Sequence, residues 1–228
     1  MSRNPSPGAR ALPLAMVLLL GAATGSAQSG AADGEWRTYG GDLGSTRYSP
    51  LDQIGGDNFD DLEEVWRFKT SNLGPFPDFN YQTTPLMIEG VLYATAGSRR
   101  NVVALDAATG EMLWLYRLDE GERGANAIRR MSGRGVAYWT DGQGDERIFV
   151  VTIGYQLVAL DATTGRPVAE FGTDGIVDLK QHNDQLIDPL TGEIGWNSAP
   201  IVARDVVIVG ASHRSGGSPP SRENVKGY

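Results

Sequence analysis

The chain has 228 residues, 40% of them apolar, enough to bury a sizeable core in one large domain or two small ones. Its formal charge of −8 argues against a nucleic-acid or anionic-membrane partner, since both want a basic surface. The absence of cysteine excludes disulfides, Cys-based zinc sites, thiol catalysis and an acylated lipoprotein Cys in this chain.

Residues 1–27 read as a secretory signal. Arg3 and Arg10 give a positive start, an apolar run follows that is short for a bilayer span, and Gly25-Ser26-Ala27 offers small residues for cleavage. An uncleaved N-terminal anchor is the alternative. Export of an acidic protein of this kind implies the periplasm, with membrane association left open. Residues 28–35 are small and polar, a linker. Aromatic residues spaced by Gly-rich turns follow from Trp36, residues 57–62 suit one helical turn, and residues 64–69 read as a strand with Trp66 at its centre. That strand looks like the outer one of a unit whose other strands come from elsewhere.

A repeat then organises the chain. Val103-Ala104-Leu105-Asp106 with Thr109-Gly110 recurs as Val158-Ala159-Leu160-Asp161 with Thr164-Gly165, a spacing of 55 residues. A period of this size is that of a supersecondary unit. Each copy predicts a hairpin, because Asp bonds its own backbone two residues on and Gly supplies a positive φ. Ala104 and Ala159, small among large neighbours, predict close approach of an adjoining unit, and Trp114 is large enough to cap that contact. Ala169 stands where the second copy would need such a Trp, so one docking contact is expected to be missing. Ahead of the first hairpin, Glu89-Gly90 between two apolar runs marks a tight turn, and the opening stretch is expected to supply further strands of the same unit. Residues 120–131 suit a short helix or a loop. Asp188 to Trp196 repeats the turn spacing without an alternating strand before it, and is read as a loop. Ser198-Ala199-Pro200 starts a third unit. The fold class is therefore all-β, a partial propeller of about two and a half blades over residues 36–228, expected to be the N-terminal part of a longer protein because an open propeller exposes edges and core.

Four stretches in order carry a family likeness: Tyr39-Gly40-Gly41-Asp42 with Thr46-Arg47-Tyr48-Ser49, the Asp-to-Gly hairpins, Arg134-Gly135-Val136-Ala137-Tyr138, and Trp196 to Pro200 before a strand. Together they resemble the periplasmic pyrroloquinoline-quinone (PQQ) dependent dehydrogenases, in the glucose/quinate and polyol-oxidising branch rather than the methanol enzymes with a vicinal Cys pair. The resemblance implies an eight-bladed propeller holding PQQ and calcium near its axis. It also implies oxidation of an alcohol, polyol or aldose, with electrons leaving to a cytochrome or a membrane quinone. Arg134 matches the arginine that pairs with PQQ, against a solvated surface Arg; Gln82 stands where a cofactor-contacting carboxylate would, against a rim residue, and Ser198 where a hydroxyl donor would, against a strand-start cap. Arg130 replaces a His and is a candidate to stack on the cofactor ring. Glu223 is the candidate calcium ligand, against an exposed loop charge. The catalytic Asp base is expected beyond Tyr228, so these residues alone are not expected to turn over. His182 and His213 have no partner at ligand spacing and read as loop residues. The competing reading is a non-catalytic envelope scaffold that shares the repeat but not the cofactor.

Overall fold

Each Ala-Leu-Asp repeat sits in the third strand of a four-stranded antiparallel meander. The computed structural model describes residues 30–31, 34–213 and 226–228. Its first sheet runs in sequential order through β1 (Leu86–Ile88), β2 (Val91–Ala96), β3 (Asn101–Asp106) and β4 (Met112–Tyr116). A short helix, α1 (Gly121–Ala125), bridges to the second sheet, β5 (Ala137–Thr140), β6 (Glu146–Val151), β7 (Gln156–Asp161) and β8 (Ile176–Asp178). Two-residue β9 (Ile194–Gly195) precedes the third sheet, in which β10 (Ile201–Ala203) and β11 (Val206–Val209) are joined by β13 (Lys226–Gly227); β9 pairs instead with β12 (Ser212–His213). Two whole blades and the start of a third are thus present. The expected signal segment and Glu223 lie outside the described residues. No helix among the described residues is long and apolar enough to cross a membrane.

Local chemistry sets the turns. Glu89 and Gly90 both have positive φ (48° and 82°), the I′ geometry whose twist matches the strands it joins, and Ile88 pairs with Val91 across it. At the repeat turn, Asp106 Oδ1 accepts the amides of Ala108 and Thr109 at 3.0 and 2.8 Å, and Gly110, at φ 73°, closes the loop onto the Asp106 carbonyl at 2.8 Å. Asp161 and Gly165 repeat this arrangement. Asp188 makes the same bonds toward Leu190, Thr191 and Gly192, but Gly192 is not at positive φ and the turn is flanked by loop rather than by blade strands.

The alanines mark the seams between blades. Ala104 is fully buried in a cluster that joins Leu86, Tyr93 and Val102 of the first sheet to Tyr138, Ile148 and Val150 of the second. Ala159, equally buried, joins Phe149 and Leu157 to Val207 and Val209 of the third. A larger side chain at either position would force the sheets apart. Trp114 caps the first seam, its indole lying over Gly165 with Nε1 donating to the Ala162 carbonyl at 2.9 Å.

Three expectations are corrected. The opening stretch supplies no blade strands: Trp36 exchanges two backbone hydrogen bonds with Met87, at 2.8 and 3.0 Å, after which the chain turns away at Gly41. The return strand of the second hairpin is interrupted. Pro167 and Val168 bridge to β7, but Pro167 lacks the amide a ladder needs, and the chain loops through Gly172 and Gly175, both at positive φ, before β8 completes the sheet. Phe171 fills that region by packing edge-on against Phe149, 5.4 Å between centroids. Residues 64–69 are extended but pair with no strand among the described residues; they hold on through Trp66, whose indole covers Gly110 and donates to the Ala107 carbonyl at 3.0 Å.

Helix α1 is pinned to the second blade by Arg123, which donates to the carbonyls of Gly154 (2.7 Å) and Tyr155 (3.1 Å) and grips Asp178 with two bonds of 2.9 and 2.5 Å. Burial alone would raise the Asp178 carboxyl, but Arg123 and the Lys180 amide outweigh it and hold it below the ordinary aspartate value. A carboxyl depressed in the folded state contributes stability that is present above its unfolded pKa and lost as pH falls through the folded one. Asp178→Asn is therefore expected to flatten the acid limb of thermal stability between about pH 5 and pH 2. Melting temperatures across that range check it; an unchanged limb contradicts the pairing.

Candidate functional site

The segments that lead into β1, β5 and β10, the first strands of the three sheets, meet through their backbones. The Thr84 amide donates to the Arg134 carbonyl at 3.1 Å, and the Arg134 amide donates to the Asn197 carbonyl at 2.9 Å. Gly135 permits this approach: it lies at φ 120°, and a Cβ there would sit 2.7 Å from the Thr84 carbonyl oxygen. Gly135→Ala is expected to cost about 2 kcal/mol through backbone strain and loss of the adjoining bond. Denaturant unfolding measures it.

This chain of backbone contacts joins the segments that carry Gln82, Arg134 and Ser198. Gln82 and Arg134 are exposed and Ser198 is half-buried. Ser198 also lines an apolar cleft of about 410 Å³ with Tyr138, Trp196 and Ile201, which Gln82 and Arg134 do not reach. Arg130 is placed apart. Its guanidinium folds back onto the carbonyls of Ala125, at the end of α1, and of Ala127 in the loop that follows, and it lines a separate cleft of about 200 Å³ with Phe76 and Glu120. Burial pushes the Glu120 carboxyl up, against the Thr152 hydroxyl at 2.6 Å and the Gly154 amide at 2.8 Å. His182 lies beside β8 and His213 within β12. Among the described residues, no group of three or more acidic or histidine side chains is arranged to hold a metal.

Arg100, which carries no sequence motif, locks this edge. It is 5% exposed, and its guanidinium donates to the carbonyls of Met131 (3.1 Å), Arg129 (3.1 Å), Val151 (3.0 Å) and Trp196 (2.8 Å) and to Asn197 Oδ1 (2.7 Å). Burial pulls its pKa down to about 10, with Glu120 and Asp78 opposing, so it stays a cation at neutral pH. Asp78 adds a second tie by accepting the Ser132 amide at 2.9 Å. The only sequence signal was two arginines in a tight turn before a buried strand, a pattern that ordinarily marks a solvated surface.

The donor set is cationic and uncommitted. The side chains of Gln82, Arg134 and Ser198 have no hydrogen-bond partner among the described residues, and Arg129 and Arg130 stand on the same loop as Arg134 in a chain of net charge −8. A guanidinium fork, an amide and a hydroxyl suit a planar ligand bearing several carboxylates. Residues 36–228 match the β-propeller domain of PQQ glucose/ethanol/alcohol dehydrogenases. The chain belongs to that family. It is 38% identical over 195 residues to the dehydrogenase subunit of an alcohol dehydrogenase (quinone) from Gluconobacter oxydans, covering 83% of this chain and 23% of the relative. Identity is 37% over 186 residues to a 1-butanol dehydrogenase (cytochrome c) from Thauera butanivorans, covering 81% and 23%. The quinohemoprotein alcohol dehydrogenase of Comamonas testosteroni superposes with a TM-score of 0.63 at 27% identity, covering 82% of this chain and 24% of that one. The chain thus spans about a quarter of the length of the curated relatives it matches. As a family member it carries part of a PQQ-type propeller domain, and an arginine, an amide and a hydroxyl are side chains of the kind that cofactor's carboxylates would need.

Proposed function

We propose that this chain is the N-terminal portion of the propeller of a PQQ-dependent dehydrogenase that oxidises an alcohol, polyol or aldose and passes electrons to a cytochrome or membrane quinone. The single observation that supports the reading is the Thr84–Arg134–Asn197 backbone chain, which joins the segments that carry Gln82, Arg134 and Ser198. Bound there, PQQ would supply the two-electron acceptor that no amino-acid side chain provides. Arg134 would pair with a cofactor carboxylate or quinone oxygen, Gln82 and Ser198 would donate further hydrogen bonds, and Arg130 would swing from its loop carbonyls to stack on the ring. Export to the periplasm, with the membrane close at hand for the quinone acceptor, follows from the signal-like residues 1–27. Calcium beside the cofactor belongs to the same reading. The described residues supply no shell for it, so it depends on Glu223 and on groups outside them.

The extended residues 64–69 support the wider architecture. Trp66 is docked as Trp114 is, while Val65, 88% exposed, faces away with no sheet beside it. The outward side alternates Val65 with the exposed Arg67 and Lys69, and the unpaired backbone of this extended segment leaves room for a further strand beside it. The test is reconstitution of the complete gene product: PQQ with calcium is expected to restore dye reduction by short-chain alcohols or aldoses. Absence of both PQQ binding and PQQ-dependent turnover would overturn the reading and favour a scaffold propeller.

A further inference from the structure

We propose that Arg100 is the positioning residue of the cofactor site, holding Arg134 and Ser198 at the spacing the ligand needs without touching the ligand itself. The inference rests on the PQQ reading above and deepens it. Arg100 reaches three separate pieces of chain: the loop that carries Arg134, through Arg129 and Met131; strand β6, through Val151; and the segment before Ser198, through Trp196 and Asn197. Asn197 is the relay. Its side-chain oxygen accepts Arg100, and its backbone carbonyl accepts the Arg134 amide at 2.9 Å.

Three features separate this from ordinary core packing. All five acceptors are neutral oxygens, and among the described residues no carboxylate hydrogen-bonds Arg100; Glu120 and Asp78 attract it only from further away, so its five directed bonds set its place. The residue also sits at φ 55°, a conformation that favours Gly or Asn, so an Arg is kept there at a conformational cost. Finally, the loop is shaped around it: Gly133 lies against the guanidinium, and a Cβ there would be 2.8 Å from Nε. A planar fork with five donors fills these roles at once. Lysine, with three donors on a single nitrogen, cannot.

The test compares Arg100→Lys with Arg123→Lys in the complete gene product, since Arg123 is also a buried arginine but bonds Gly154, Tyr155 and Asp178, none of which is a partner of Arg100. Two quantities are read separately: the Kd for PQQ, by quenching of tryptophan fluorescence, and the melting temperature of the cofactor-free protein. Both variants are expected to melt lower. Only Arg100→Lys is expected to bind PQQ more weakly, by about tenfold or more. Equal PQQ affinity in Arg100→Lys and wild type would overturn the proposal, as would an equal loss in Arg123→Lys. A wild type that binds no PQQ would instead remove the functional reading on which it rests. Should Arg100→Lys not fold, Asn197→Ala cuts the relay alone, and an unchanged Kd there would overturn the proposal.

Discussion

Arg134→Ala is expected to weaken PQQ binding by about a hundredfold, because a charge-assisted fork to a carboxylate contributes about 2 to 3 kcal/mol when the alternative is an unpaired anion. Folding is expected to be almost unaffected. The side chain is exposed and makes no bond to the described protein, so its removal should stay within about 0.5 kcal/mol. The backbone contacts to Thr84 and Asn197 survive any substitution except proline. Arg134→Lys keeps the charge but loses the bidentate geometry, and should fall between, at about tenfold. Titration of the cofactor-free protein with PQQ, alongside thermal scanning, separates binding from folding. A hundredfold loss with an unmoved melting temperature assigns the residue to the ligand; an unmoved Kd removes it from the site.

What the amino-acid sequence announces and what it hides follow from the range of the interactions involved. The blades were legible because their determinants are local: period-two alternation, an Asp that bonds its own turn, a Gly at positive φ, and Ala104 and Ala159 as small residues where sheets must meet. The interrupted return strand was less so. Ala169 signalled the missing Trp, but the consequence of Pro167 depends on whether a strand beside it needs that amide, and the sheet decides that. Residues 36–48 misled for the same reason: their aromatic and Gly pattern permits strands, while β1 leaves room for one bridge at Trp36. Arg134, Gln82 and Ser198 were nameable through a family likeness, and the joining of their three distant segments appears only in the backbone bonds of Thr84, Arg134 and Asn197. Arg100 was illegible. A buried arginine and a solvated one are the same letter, and its acceptors come from positions 129 to 197, most of them backbone carbonyls that every residue possesses.

The seam between blades carries the second large effect. Trp114 leaves β4, lies over the turn glycine of the next blade, donates Nε1 to the Ala162 carbonyl and tilts against Tyr93 at 5.9 Å between centroids. Trp66 repeats the contact one unit earlier, over Gly110 and onto Ala107. Trp114→Ala removes a large ring from a junction that cannot collapse without moving a whole sheet, and is expected to destabilise by about 3 kcal/mol. Trp114→Phe keeps most of the apolar contact and leaves the Ala162 carbonyl without its indole donor, a loss of about 1 kcal/mol. The partner glycine gives a sharper test. At Gly165, where φ is 68°, a Cβ would lie 2.5 Å from the indole, so Gly165→Ala suffers both strain and collision. In the double variant with Trp114→Ala the collision disappears and only the strain remains. Its destabilisation should therefore fall short of the sum of the two single variants by about 1 kcal/mol or more. Urea unfolding of the four proteins measures the coupling, and strict additivity would mean that the tryptophan does not bear on the turn it covers.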